Sequence, residues 1–152
     1  MTAIVKQRHV VVPASYLILE RDGKYLLARR RNTGYRDGQY GLVAGHVDRG
    51  ESFTHAMVRE AREEIGIVLS EKDLDIVHIM HRKEGESERV DAFLRARTWS
   101  GDIINCEPEK CDDLAWFTHE ELPSNTIPYL LVMFEHVRNG TFYSECGWAD
   151  NL

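Results

Sequence analysis

From Val10 to Glu20 the chain is dominated by β-branched and apolar residues, Arg21-Asp22-Gly23-Lys24 interrupt the run, and Tyr25 to Arg29 resumes it. That alternation predicts a β-hairpin. From Arg30 to Gln39 the residues are polar, cationic and glycine-containing and predict a loop, Tyr40 to Ala44 a short apolar strand, and Gly45 to Gly50 a turn. Val58, Ala61 and Ile65 then recur at helical spacing and Gly66 stands ready to stop the run, which predicts a helix over Ser52 to Ile65. Leu74 to His81 and Val90 to Trp99 predict strands on either side of a charged turn, Arg82 to Arg89. Leu114 to Phe117 predicts another short strand and Pro128 to Val137 a second helix, while the aromatic tail Tyr143 to Trp148 is left to pack on the domain or on a second subunit. Strands before, between and after two helices imply an α/β or α+β chain built on a mixed sheet.

Composition narrows the class of protein. The 152 residues are about the size of one ordinary domain, and no linker, repeat or compositional break divides them, so residues 1–152 are expected to form one domain. A 43% hydrophobic, 29% charged chain can fold around its own core. No apolar run reaches membrane-spanning length and Met1 to His9 lacks a signal-peptide core, so the expectation is a cytoplasmic protein with no membrane partner. Cys106, Cys111 and Cys146 lack paired spacing and read as reduced structural thiols. A formal charge of −6 repels nucleic acid at long range, which argues against duplex DNA and requires local cations wherever a phosphate binds.

The chemistry concentrates in Gly45 to Ile67. On a helix, Glu60, Glu63 and Glu64 fall at i, i+3 and i+4; with Glu60 at zero the other two lie at roughly −60° and +40°, opposite an apolar stripe near 130°. Like charges at this spacing repel, and a divalent cation reverses the sign. Oxygen-only ligands suit Mg²⁺, with Mn²⁺ able to substitute, and disfavour zinc. Arg59 can pair with these glutamates or with Glu51 and fix their rotamers. An isolated Glu-Glu pair would read as a solvated helix face. The whole segment does not.

It resembles the Nudix box without a gap: Gly45, five residues, Glu51, seven residues, then Arg59-Glu60-Ala61, any residue, Glu63-Glu64, any residue, Gly66 and Ile67. A chance match in a chain this long is on the order of 10⁻⁷, which sets coincidence aside. Ala61 is smaller than the usual branched residue, and Val43-Ala44 stand where many relatives carry Pro-Gly. The resemblance runs over nearly the whole chain and implies a Nudix-type αβα sandwich. It also implies that Glu60, Glu63 and Glu64 hold Mg²⁺, that Glu51 supports them and that Arg59 orients them. A base drawn from Glu63, Glu107 or Glu109 would then activate water.

Glu107 to Phe117 resembles the EPxKC segment of small MutT-like members that act on nucleoside triphosphates, which brings Glu107 forward as a further catalytic carboxylate; a solvated acidic loop is the alternative. Arg29, Arg30, Arg31, Tyr35 and Arg36 of the cationic loop, with Gly45 and His46, are the candidate substrate contacts, guanidinium forks for phosphate and a tyrosine for a base. Surface arginines also serve only to keep a loop soluble. His46 is read as a loop contact rather than a base. The resemblance leaves three readings open: hydrolysis of (deoxy)nucleoside triphosphates, oxidised ones included, to monophosphate and pyrophosphate; a Nudix hydrolase of ADP-ribose, dinucleoside polyphosphate or another organic diphosphate; or a noncatalytic nucleotide-binding regulator. The retained box carboxylates favour the enzymes. A homodimer is left open.

Overall fold

The computed structural model of the chain describes residues 8–148. Nine strands and two α-helices appear in the order β1 (Val12–Ile18), β2 (Glu20–Arg21), β3 (Lys24–Arg30), β4 (Tyr40–Gly41), β5 (Ala44–His46), α1 (Phe53–Ile65), β6 (Leu74–Glu84), β7 (Ser87–Ala96), β8 (Cys111–Thr118), α2 (Pro128–Arg138) and β9 (Tyr143–Cys146). A five-stranded mixed sheet runs β5-β1-β7-β6-β9, with the β1–β7 and β6–β9 pairs parallel. In the second sheet β8 pairs along β3, while β2 and β4 pair with opposite ends of the same strand.

Helices cover both faces. Ala14, Tyr16 and Ile18 of β1, Tyr25 and Leu27 of β3 and Phe93 of β7 join Leu130, Met133 and Phe134 of α2 in one core. The alternate residues Leu17, Leu26, Ala92 and Leu94 join Met57, Ala61 and Ile65 of α1 in the other. Strands covered on both faces read as continuous apolar runs, and the alternation of side chains sends successive residues into opposite cores. This is the expected αβα sandwich on a mixed sheet.

Helix α1 spans the predicted segment. Ser52 caps its start by accepting from the His55 amide at 3.1 Å, and Gly66 ends it in the left-handed conformation, at φ 73°. The Ser15 hydroxyl of β1 donates to the Phe53 carbonyl at 2.8 Å and seats the first turn on the sheet. The small Ala61 is fully buried at this contact.

Four expectations need correction. The predicted hairpin of Val10–Glu20 with Tyr25–Arg29 forms only at its tip, where Arg21 pairs with Lys24; β1 leaves for the other sheet and β3 pairs mainly with β8. Burial of Ala14 to Ile18 on both faces favours a central strand between helix layers over a hairpin arm. The predicted strand Tyr40–Ala44 breaks at Leu42-Val43, where the chain crosses between sheets and gives one side chain to each core. The predicted turn Arg82–Arg89 is mostly strand, with Glu84 opposite Ser87 and a two-residue turn between them. Its charges sit in the sheet because they find partners there: Arg82, 2% exposed, bonds the fully buried Asp91. The strand predicted to reach Trp99 ends at Ala96, and the tail adds β9 beside β6.

Phe93 is fully buried and stacks on Tyr16 with ring centres 4.8 Å apart. Urea denaturation is therefore expected to show a loss of about 3–5 kcal/mol in Phe93→Ala, from lost burial plus the cavity. Ser52→Ala is expected to lose about 1 kcal/mol, from the cap alone. Equal losses in the two variants would contradict this division between core and cap.

Candidate active site

The carboxylate face of α1 opens away from the core stripe, as the angular spacing requires, and Arg59 sits at its centre. Its Nε and Nη2 donate to the two oxygens of Glu51 at 2.7 and 2.9 Å, and Nη1 donates to Glu60 at 2.6 Å and to Glu63 at 3.4 Å. Nη2 also reaches the His46 carbonyl at 3.1 Å, which ties the helix to the end of β5. The fork on Glu51, assisted by the Asp48 amide, lowers that carboxyl to about 2. The guanidinium thus fixes Glu51 as an anion and orients Glu60, while Glu63, 54% exposed, is the freest of the set.

Gly45 owes its place to close approach. A Cβ built there would lie 2.0 Å from the Glu60 carboxyl carbon and from one of its oxygens. No side chain larger than hydrogen leaves Glu60 where Arg59 holds it. Burial raises the Glu60 carboxyl, with Arg59 opposing. Glu64 is pushed further, to about 8, first by burial and then by the charges of Glu60 and Glu107, and the Ala44 amide, donating at 3.4 Å, opposes the shift.

The loop after β7 completes the site by satisfying the end of α1. The Ile104 and Cys106 amides donate to the Ile65 and Glu64 carbonyls at 3.1 and 2.9 Å, supplying partners to backbone groups a helix leaves unpaired at its C-terminus. Asn105 braces the loop, accepting from the Glu107 amide at 3.1 Å and donating to the Cys111 carbonyl at 2.7 Å. The result is an acidic cleft of about 330 Å³ in which Glu60, Glu63, Glu64 and Glu107 face Arg29, Arg30 and Lys110. Lys110 bonds Glu107 at 3.0 Å, and Arg29 bonds Asp112 at 2.7 Å.

A second pocket of about 340 Å³ adjoins the cleft and shares Arg30, Leu42 and Ala44 with it. Tyr16, Tyr35, Tyr129, Arg89 and His46 are among its walls. Burial lowers the His46 imidazole, so it favours the neutral form.

Of the residues selected from sequence, Arg29, Arg30, Glu60, Glu63, Glu64 and Glu107 meet in the acidic cleft, and Tyr35, Gly45 and His46 line the tyrosine pocket. Arg59 and Glu51 brace the cleft from behind. Arg31, Arg36 and Glu109 line neither space. Arg31 is held by its amide on the Lys110 carbonyl, Arg36 bonds Glu84 at 2.5 Å, and the Glu109 carbonyl accepts from Asn32 at 3.2 Å. Sequence reasoning did not select Lys110, Asn105, Tyr16, Arg89 or Tyr129. Lys110 carried a signal in the EPEKC segment; the others come together only through strand pairing and helix packing.

The donor set suits a hard cation: carboxylate oxygens only, with the Glu64 carboxyl pushed toward its neutral form by burial and then by neighbouring anions. Among the described residues no three acidic, His or Cys side chains converge as a ready-made cage. Arg59 draws Glu60 and Glu63 toward itself.

A family model described as the NUDIX domain matches residues 9–136. The chain is similar to the nucleoside triphosphatase NudI of Salmonella paratyphi B, with 32% identity over 126 residues, 78% of this chain and 86% of the relative. The NudI of Salmonella agona is 31% identical over the same shares of both chains, 78% and 86%. Among solved structures, the MutT NUDIX hydrolase from Burkholderia pseudomallei superposes with a TM-score of 0.76 at 26% identity, covering 84% of this chain and 98% of its own. The E. coli ORF135 protein superposes with a TM-score of 0.66 at 26% identity, over 83% and 90% of the two chains.

The Glu64 carboxyl generates a pH dependence with a definite sign. Below its ordinary value of 4.5 both folded and unfolded chains carry the proton; between 4.5 and about 8 the unfolded chain releases it and the folded chain retains it. Stability present at acidic pH is therefore lost as pH rises through that window. In chelator, the stability of Glu64→Gln relative to the parent is expected to rise by on the order of 3 kcal/mol between pH 5 and 9, followed by urea denaturation. A difference that does not change with pH would show Glu64 ionising normally in the fold.

Proposed function

The chain belongs to the Nudix hydrolase family and acts on phosphoanhydride bonds, a premise from which we propose that it converts (deoxy)nucleoside triphosphates, oxidised ones included, to monophosphate and pyrophosphate with Mg²⁺. The observation that carries this reading is the adjacency of the two spaces. An acidic cleft with three cations at its margin suits a polyphosphate and a metal, and the pocket sharing its wall is lined by aromatic rings suited to a base. The similarity to nucleoside triphosphatases of comparable length supports the same choice.

Glu60, Glu63 and Glu64 are the proposed ligands. Bound there, Mg²⁺ would offset phosphate charge and lower the pKa of a water for in-line attack. The remaining work belongs to side chains. Arg59 holds Glu51 and Glu60 in place from behind the cleft, with no contact to substrate. Arg30, at the wall common to both spaces, and Lys110 are placed to bind phosphate oxygens and orient the chain. Glu63 or Glu107 accepts the proton of the attacking water. Water oxygen bonds to phosphorus as the bridging P–O bond breaks, and the electron pair leaves with the departing phosphate group. Overall, nucleoside triphosphate and water give monophosphate, pyrophosphate and a proton.

Mass-spectrometric analysis of products from nucleoside triphosphates, oxidised nucleotides, ADP-ribose and dinucleoside polyphosphates with Mg²⁺ tests the reading. Monophosphate and pyrophosphate from triphosphates are expected; AMP and ribose phosphate from ADP-ribose in their place would move the assignment to a nucleoside diphosphate-sugar. Glu64→Gln should reduce kcat by about 10³-fold, the scale of removing one preorganised charge, with circular dichroism unchanged. Gly45→Ala should keep the fold and weaken Mn²⁺ binding by about 10–100-fold, because the new methyl displaces Glu60. Unweakened Mn²⁺ binding would remove Glu60 from the ligand set.

A further inference from the structure

Glu84, near the end of β6, has no part in the acidic cleft, yet it joins two distant parts of the fold. Its Oε2 accepts from the Tyr35 hydroxyl at 2.7 Å and from Arg82 Nη1 at 2.8 Å, and its Oε1 accepts from Arg36 Nη2 at 2.5 Å. Arg82 in turn donates through Nε to buried Asp91 at 2.7 Å, and its guanidinium carbon lies 3.9 Å from the centre of the Tyr129 ring. Tyr35 and Tyr129 both line the tyrosine pocket, one from the loop after β3 and the other from α2.

Stability alone is a weak reason for this arrangement. A buried ion pair gains little over well-packed apolar residues, because both charges must leave water. Arg82 and Asp91 nevertheless occupy the interior, and the outer edge of Arg82 fixes two things at once: one pocket ring directly, and the other through Glu84.

The loop itself is prebuilt. The Asp37 carboxylate accepts from the Thr33 and Gly34 amides at 3.0 Å each, and Arg30 Nε donates to the Tyr35 carbonyl at 2.8 Å. Among the described residues, the side-chain hydrogen bonds that tie this loop to the β6–β7 hairpin both end on Glu84. The loop's two ends are held elsewhere, by the Arg31 amide and Asn32 on the Lys110 and Glu109 carbonyls and by Asn125 on the Gly38 carbonyl, so removing the Glu84 carboxylate frees the middle of the loop, which carries Tyr35 and Arg36.

We propose that Glu84 is the latch that holds the loop of residues 31–39 against the β6–β7 hairpin, and that Asp91, Arg82 and Glu84 form a positioning network for the two tyrosines that bracket a nucleobase. The network sets affinity for the flat aromatic end of the substrate and leaves the phosphate chain to the acidic cleft. The assignment of a base to this pocket rests on the nucleoside triphosphate reading; the latch does not.

Glu84→Ala, Tyr35→Phe and the double variant test the network. Tyr35→Phe keeps the ring and loses only the hydroxyl that reaches Glu84. Hydrogen exchange in residues 31–39 should be severalfold faster in Glu84→Ala than in the parent, with exchange in α1 unchanged. For the deoxynucleoside triphosphate turned over best by the parent, KM should rise about tenfold in either single variant while kcat in Glu84→Ala stays within about twofold, as a docked loop becomes a minority state. The double variant should be no worse than the more affected single one, because both remove the same contact. Inhibition by inorganic tripolyphosphate, which has phosphates and no base, should not change. Unchanged loop exchange in Glu84→Ala overturns the latch; additive effects in the double variant, or tripolyphosphate weakening in step with the nucleotide, overturn its role in base affinity. Failure of the parent to hydrolyse any nucleoside triphosphate would refute the functional reading and leave the latch to be decided by exchange.

Discussion

Four carboxylates cannot crowd one side of a helix and its preceding turn without a counter-charge, and Arg59 supplies it. Its fork on Glu51 and its second arm on Glu60 and Glu63 turn mutual repulsion into a bonded set. The same guanidinium reaches the His46 carbonyl, so the charge balance and the docking of α1 against β5 are one arrangement. Gly45 belongs to it as well, since only a missing side chain admits the Glu60 carboxylate so close to the strand. Glu64 is the member Arg59 does not reach. Its carboxyl is driven to about 8, first by burial and then by the charges of Glu60 and Glu107.

Much of this was legible in the sequence because it is local. Helical geometry converts the spacing of Glu60, Glu63 and Glu64 into a face, and Ser52 and Gly66 mark its ends through hydrogen bonds and dihedral preferences a few residues long. The sheets were legible only as a set of strands. Glu20 to Tyr25 does form the hairpin its turn residues predict, but Val12 to Ile18 pairs with Arg89 to Arg95 of β7, 77 positions downstream. No local pattern encodes that choice; burial on both faces does, and it exists only once both helices are in place. Arg82 misled for the related reason that a charged residue reads as exposed until its buried partner is known.

The candidate site divides along the same line. Its acidic half draws its carboxylates from one helix and one loop, and the sequence singles out each of those carboxylates. Its other half lies on β1, β7 and α2, so that Tyr16, Arg89 and Tyr129 share a pocket only through the tertiary fold. The cationic loop was recognised as a whole, but Arg29, Arg31 and Arg36 could not be told apart by charge. Arg29 faces the cleft; Arg31 does not, and Arg36 is committed to Glu84.

The position of the two spaces follows from the break at Leu42-Val43. The chain leaves the β3 sheet at Gly41 and joins the β1 sheet at Ala44, and the two residues between are buried in opposite cores. Where one strand must serve two sheets, their edges part, and both spaces open along that parting: Leu42 and Ala44 line each of them. Among the described residues, Arg30, at the end of β3, is the only charged side chain that lines both. On the proposed reading, a ligand with an anionic end and an aromatic end would pass from one space to the other beside Arg30. The acidic cleft and the tyrosine pocket are thus held apart by the same backbone crossing that joins the two sheets.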